Sequence, residues 1–268
     1  ANKIDRDGLV MATAQTANIV GTAGTPPTGL ITYLTGQAYL DSEGAPRDGR
    51  RSCIVEPFTS ATIVDSLKGL FVPQEAITAQ YRKGLMGRDS AGVNWKLDQN
   101  VVSQTFGSWS ANTIAINVTT GTGFLTSGWA SSSTLSMTAS AASTLNAGDT
   151  FTIPGVYAVN PQNRQSYGKL RNFVVLSTTT VGTGATSVQV SPAVITAGQF
   201  QNVSVTSSGS QNITAFNNTG VASPQNIMMH RNAFTLAVAD LELPDGVHFA
   251  GRASDKEIGL SMRVVRQY

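Results

Sequence analysis

Apolar positions along this chain follow two periods, one helical and one extended, and the elements they predict alternate before giving way to strands alone. Leu30, Leu34 and Ala38 fall at i, i+4 and i+8, which predicts a helix beginning after Thr28 with these three on one face. The segment closes in the turn-rich run from Ser42 to Gly49, and Arg51 to Val55 then reads as a strand. Beyond Pro57, Ser60 is placed to cap a short helix whose Ile63, Leu67 and Leu70 share a face, with Lys68 and Gly69 near its end. Residues 2 to 20 have helical composition and few breakers until Gly21, Gly24, Pro26 and Pro27, so a helix is expected there as well. Val93, Trp95 and Leu97 alternate as a half-buried strand does. Phe234, Leu236 and Val238 alternate in the same way, and so do Ile258, Leu260, Met262 and Val264.

Between these outer elements the pattern is strands only. Candidates run over Thr113 to Val118, Thr134 to Ala139, Thr150 to Ile153, Phe173 to Ser177, Ser187 to Ser191 and Asn202 to Val205. Glycine turns such as Gly121-Thr122-Gly123 and Gly182-Thr183-Gly184 punctuate them, as in a small sandwich or barrel.

Charge sharpens this division. From Gln99 to His230, 132 residues carry only four charged side chains, Asp149, Arg164, Lys169 and Arg171, while the other 136 residues carry thirty. Ser, Thr, Asn, Gly and β-branched residues fill the centre, a composition suited to short strands and turns. The expected organisation is an outer mixed domain in two pieces, 1–107 and 207–268, with a β domain at 108–206 spliced between them. Three independent domains in a row are the alternative. Insertion is preferred because a final piece of roughly forty residues is too small to fold alone, and because the ends of a domain often lie close together.

The chain of 268 residues has room for one or two domains and a real core. Its formal charge of +2 is spread thinly, with no polybasic run and no aromatics among the lysines and arginines, which disfavours a dedicated nucleic-acid groove while leaving weak contact with a phosphate backbone open. No apolar run approaches the ~20 residues that span a bilayer, and the residues from Ala1 to Gly8 do not read as a signal peptide, so a soluble chain without a membrane partner is expected. A single cysteine, Cys53, excludes an intrachain disulfide and a cysteine-rich zinc site, and points to a reducing compartment.

Catalytic chemistry is hard to assemble from these residues. His230 and His248 lie in different segments with no carboxylate at a metal or triad spacing. Cys53 sits beside Ile54 and Val55 and reads as a buried small hydrophobe rather than a nucleophile. Gly121-Thr122-Gly123 lacks the third glycine of a dinucleotide loop, and no Gly-Lys-Ser/Thr follows any glycine cluster. Four Asn-x-Ser/Thr triplets, at Asn117, Asn202, Asn212 and Asn217, are what Ser/Thr/Asn-rich sequence produces by chance. Neither an enzyme nor a cofactor or metal site is expected. Tyr81 to Gly92 is the open case: Arg82, Lys83 and Arg88 have only Asp89 as a nearby acid, and they read either as a solvated loop or as a basic glycine loop at a subunit contact.

Several segments, in order, carry a family resemblance. Ala1 to Gly8, Arg50 to Pro57, Tyr81 to Arg88 with Ala91 to Trp95, Ala147 to Val156, Lys169 to Val175, Asn232 to Leu236 through Leu243-Pro244, and Ile258 to Val264 are similar to segments of the major capsid proteins of short-tailed bacteriophages. The resemblance is to the coat-protein family of the Salmonella phage type that carries a telokin-like β insertion. It implies an α+β fold, the tailed-phage major capsid shell fold with an inserted all-β barrel or sandwich domain. Ala1 to Gly8 would then be the end of a long spine helix and Arg50 to Pro57 the strand entering the axial domain. The family's N-terminal arm, extended loop and most of its spine helix would precede Ala1, and a final strand would follow Tyr268.

The function so implied is self-assembly into the icosahedral shell enclosing phage double-stranded DNA. The chain's partner would be itself, in pentamers and hexamers, together with scaffolding protein and portal. Contact with packaged DNA would be weak and non-specific. The chain would be found in the virion capsid, assembled in the bacterial host cytoplasm. The charged loop by which some members pair across capsomers has no counterpart in the uncharged stretch from Gln99 to Gly148. A rival reading, a surface-displayed Ser/Thr-rich β adhesion or binding module, draws on the same composition but leaves the mixed flanks unexplained.

Overall fold

A computed structural model describes residues 2–67, 91–118, 123–239, 241–255 and 259–267. Residues 1–230 form one compact unit and residues 231–268 a second.

The first unit opens with three helices. α1 spans Asn2–Gln15, shorter than expected, and buries Leu9 and Ala12. The Thr13 and Thr16 hydroxyls donate to the carbonyls of Leu9 and Ala12, a side-chain competition for helix acceptors, and the β-branched residues that follow favour an extended chain. α2 spans Leu30–Ser42 as expected, but on a different face: Tyr33 and Gln37 are buried while Leu34 is exposed. Tyr33 wins the core because its ring packs edge-on against Trp95, with centroids 4.9 Å apart. α3 spans Pro57–Leu67. It starts three residues before the expected cap at Ser60, because Pro57 suits the first helical position and the Ser60 amide already bonds the Glu56 carbonyl.

β1 (Arg51–Val55), β2 (Asn94–Leu97) and β17 (Ile227–His230) make a three-stranded sheet with β1 in the middle, parallel to β2 and antiparallel to β17. Its core is Tyr33, Cys53, Val55, Ile63, Val93 and Trp95.

All remaining strands of this unit lie between β2 and β17. They are β3 (Ser103–Thr105), β4 (Ile114–Asn117), β5 (Phe124–Leu125), β6 (Ser133–Ala139), β7 (Ser143–Leu145), β8 (Thr150–Val159) and β9 (Ser166–Val175). There follow β10 (Thr179–Val181), β11 (Thr186–Ser191), β12 (Val194–Ile195), β13 (Val203–Val205), β14 (Ser210–Asn212), β15 (Thr214–Ala215) and β16 (Ala222–Pro224). The main sheet runs β13-β8-β9-β11-β6-β4-β14. β15, one residue after β14, pairs back onto β8, so the segment 210–215 hydrogen-bonds β4 with its first half and β8 with its second, and the strand path returns on itself. Alternating burial on β6, from Ser133 through Leu135 and Met137 to Ala139, shows one face turned inward. Ile114, Ile116, Leu135, Met137, Phe151, Phe173 and Val188 fill that interior, a core separate from the first.

Gly155 interrupts β8. Its φ of +77° and the register shifts against β9 mark a bulge, which bends a ten-residue strand enough to serve a closed path.

The second unit holds an antiparallel ribbon, β18 (Phe249–Asp255) with β19 (Leu260–Arg266), in register from Phe249↔Arg266 to Asp255↔Leu260. β19 carries Leu260, Met262 and Val264 of the expected strand, and Ile258 lies outside the described residues. The alternating Phe234, Leu236 and Val238 form no strand, since period-two apolar residues need a neighbouring strand to pair with and these have none among the described residues.

Candidate functional site

Three arrangements in the first unit are built from polar side chains that the composition made scarce. The first fastens the end of α2 to the small sheet. Arg51, on β1 and almost wholly buried, donates from Nη2 to Asp41 Oδ1 at 2.7 Å and to the Ala45 carbonyl at 2.5 Å, and from Nε to the Pro46 carbonyl at 3.0 Å. A guanidinium is planar and presents several donors at once, which suits it to gathering a helix end and the turn after it. Arg47 grips both oxygens of the same carboxylate, Nε donating to Oδ1 at 2.9 Å and Nη2 to Oδ2. Its hydrogen bond, then that of Arg51, hold Asp41 well below the usual carboxylate range. On the neighbouring strand, His230 sits opposite Arg51 in register and places Nε2 3.0 Å from Asp48 Oδ1.

The second arrangement is a neck. β3 and β16, the outgoing and returning chain, pair antiparallel as Ser103↔Pro224, Gln104↔Ser223 and Thr105↔Ala222. Just beyond it the buried Asp149 accepts the backbone amides of Gly107 and Asn146, and Gln104 donates to the Ala147 carbonyl. Burial pushes the Asp149 carboxyl up to about 6 against the opposing pull of those donors.

The third is a seam between β9 and the helices. Tyr167 donates to the Ser42 carbonyl at 2.7 Å, Arg171 Nη1 lies 2.6 Å from Glu43 Oε1, and Asn172 donates to Asn18 Oδ1 at 3.1 Å. Two of the four charges in the charge-poor stretch, Asp149 and Arg171, are thus committed to these junctions.

Large apolar side chains face outward elsewhere. Phe58 in the first turn of α3 is 79 % exposed, Ile31 in the first turn of α2 71 %, and Trp129 in the loop between β5 and β6 70 %. Such residues are ordinary singly, yet each buries about 1.5–3 kcal/mol of transfer free energy when covered.

Arg82, Lys83 and Arg88, the basic residues singled out in the sequence, lie outside the described residues, and so does Leu70 of the expected α3 face. Cys53 is buried, and burial pushes its thiol up to about 12, which leaves it un-ionised at neutral pH. Asn202 uses both ends of its amide internally, accepting from the Ile195 amide and donating to the Ala193 carbonyl, so its triplet has a packing role. Sequence reading missed Arg51, Asp41 and Tyr167. The one available signal was Arg51 at the head of a strand whose other residues are small or apolar. Among the described residues no three His, Cys, Asp and Glu side chains gather as a metal site, and no helix is long and apolar enough to cross a membrane.

Comparison with known families matches residues 34–268 to the family described as P22 coat protein, gene protein 5. No curated protein matches this chain.

Proposed function

We propose how this chain, which belongs to the P22 coat protein family and is a structural major capsid protein, builds the shell of its virion. The family match over residues 34–268 carries the reading, and the α+β fold accompanies it. Copies associate in rings of five and six, and scaffolding protein guides them in the host cytoplasm. The portal occupies one vertex, and packaged DNA meets the inner surface without specific contacts. Phe58, Ile31 and Trp129 are the apolar anchors offered to neighbouring copies, since a modest contact repeated around a closed ring sums to a stable interface. Arg82, Lys83 and Arg88 supply charge at a capsomer contact, because acidic partners are scarce near them in sequence. The role needs no catalytic centre.

The all-β part is read as an inserted domain. Support comes from β2 and β17, which flank the same strand β1 although some 130 residues of chain separate them, and from the neck in which β3 meets β16. Two separate apolar cores, one on each side of the neck, point the same way. We draw the insertion from about residue 106 to about 221, wider than 108–206, because β14 and β15 complete the strand path that begins with β4. This domain is a brace whose seam to α2 sets its orientation.

Mass spectrometry of purified particles of the phage encoding this chain tests the shell role. It should be the most abundant virion protein, at hundreds of copies per particle. Absence from the particle, or a few copies only, would overturn the reading.

A further inference from the structure

Three Asp-Gly pairs occur in this chain, Asp7-Gly8, Asp48-Gly49 and Asp245-Gly246. Such a pair can rearrange its own backbone, because a glycine puts no side chain in the way of its amide nitrogen and lets the chain turn until that nitrogen meets the aspartate Cγ. The fold decides whether it does. The carboxyl must not be held elsewhere, the amide must not be spent on a hydrogen bond, and the backbone between them must be able to rotate.

Two of the pairs fail these conditions. Gly8 lies inside α1, where amides are spent on the carbonyls four residues back and helical dihedrals are held in place. Asp48 precedes a turn, with Gly49 at φ +75°, but its carboxylate is committed: Oδ1 accepts the Arg50 amide at 3.0 Å and lies 3.0 Å from His230 Nε2, and Oδ2 lies 3.8 Å from Arg50 Nε. Asp245 differs from both. It and Gly246 are exposed in a bend between Pro244 and β18, with Gly246 at φ +78° and nothing within 4 Å of where its Cβ would stand. Among the described residues no group bonds the Asp245 carboxylate, and no carbonyl accepts the Gly246 amide.

We propose that Asp245 is a modification site, at which the folded chain converts spontaneously to isoaspartate. The Gly246 nitrogen bonds to the Asp245 Cγ, and the carboxyl hydroxyl leaves with the amide proton as water, closing a five-membered succinimide. A second water then opens the ring. Where it adds to the main-chain carbonyl of Asp245, the bond from that carbon to the Gly246 nitrogen breaks, and the chain afterwards runs through Cγ with an α-carboxylate beside it. No electrons change hands and no co-reactant beyond water is used. The product carries one more main-chain carbon between two points at which this loop is tied to β19, the Glu242 carbonyl that accepts from Arg263 and the Phe249↔Arg266 rung. The change accumulates with time, so the ribbon of an aged chain is tethered differently from that of a new one. The assignment is independent of the shell role, since it needs only the loop of the second unit.

The test incubates the full chain in neutral buffer and reads isoaspartate in two ways: transfer of a labelled methyl group from S-adenosylmethionine by a protein isoaspartyl methyltransferase, and fragmentation of proteolytic peptides, where the extra backbone carbon gives its own cleavage products. Asp245 should convert about tenfold faster than Asp48, the factor for one charge-assisted hydrogen bond that Asp48 must first break, and faster than Asp7 by at least as much. In urea, where only local sequence distinguishes the three pairs, their rates should come together. Asp245→Glu keeps the charge but would have to close a six-membered ring, so it should remove the signal from this peptide and leave the other two unchanged. Conversion in the folded chain led by Asp48 or Asp7, or none at Asp245 over a time in which the chain in urea accumulates it, would overturn the site. A tenfold spread that persists in urea would overturn the part given to the fold.

Discussion

Asp149 turns both carboxylate oxygens toward the backbone amide of Gly107, at 3.1 and 3.2 Å, across 42 residues of sequence. One of the same oxygens accepts the Asn146 amide at 2.8 Å. The only acidic residue between Gln99 and His230 is therefore spent on tying the outgoing chain to the turn before β8.

Because burial raises this carboxyl to about 6 from 3.8, the folded protein holds a proton that the unfolded chain has already lost between those values. The contribution of Asp149 to stability is then fully present below about pH 4 and declines as pH rises toward about 6, beyond which it is level. Urea titrations at intervals from pH 4 to 7 should show that decline, and Asp149→Asn should flatten it. Asp149→Ala removes the acceptor from two buried amides and should cost about 2–4 kcal/mol near pH 4, a cost that shrinks as pH rises toward 6.

Asp41 works in the opposite sense. Arg47 first, and then Arg51, depress its carboxyl, so its contribution is present above about pH 4 and is lost as pH falls through the acid range. Asp41→Asn should leave the buried Arg51 with carbonyl partners only and cost about 1–2 kcal/mol at neutral pH, discounted because Asp41 is partly exposed. The same substitution should make the protein less sensitive to acid below pH 4, which an acid unfolding curve would record.

Gly155 provides a backbone test of the β path. A Cβ there would collide with the Ser207 side chain and approach its backbone nitrogen to 2.9 Å, at a φ that only glycine adopts freely. Gly155→Ala should destabilise the protein by about 2 kcal/mol or more, whereas the same change at Gly44, where φ is +81° but nothing lies within 4 Å, should cost about 1 kcal/mol. Thermal melts of the two variants side by side separate collision from strain.

The basic loop gives an assembly test. Reversing the charges of Arg82 and Lys83 should lower the yield of shells while leaving the monomer melting temperature unchanged, since exposed pairs contribute only ~0–1 kcal/mol to a single chain and act through repetition. Normal yields from the double variant would return these residues to the solvated surface.

What the sequence revealed followed from burial on one face. β4, β6 and β11 were legible because each alternates against a filled interior, and β1 because four of its five residues are small or apolar. β14, β15 and β16 were not, being two or three residues long and mostly polar: they exist through pairing with β4, β8 and β3, which no local pattern reports. For the same reason no local pattern marks where the charge-poor strands end. The stripe of Leu30, Leu34 and Ala38 misplaced the buried face of α2 because an aromatic contact, Tyr33 on Trp95, outweighed aliphatic spacing. Lack of charge was the most useful signal, and its exceptions were more useful still, for Asp149 and Arg171 mark the junctions.

Electron microscopy of particles formed when the full-length protein is expressed with its neighbouring phage genes tests the central claim most directly. The account predicts closed icosahedral shells whose subunit density divides at a narrow neck into a mixed helix-and-sheet part in the shell wall and an all-β part spanning roughly residues 106 to 221. A failure to form shells, tubes or capsomer rings would contradict the claim that this chain is the shell subunit, and shells whose subunits show no separate β lobe would contradict the insertion.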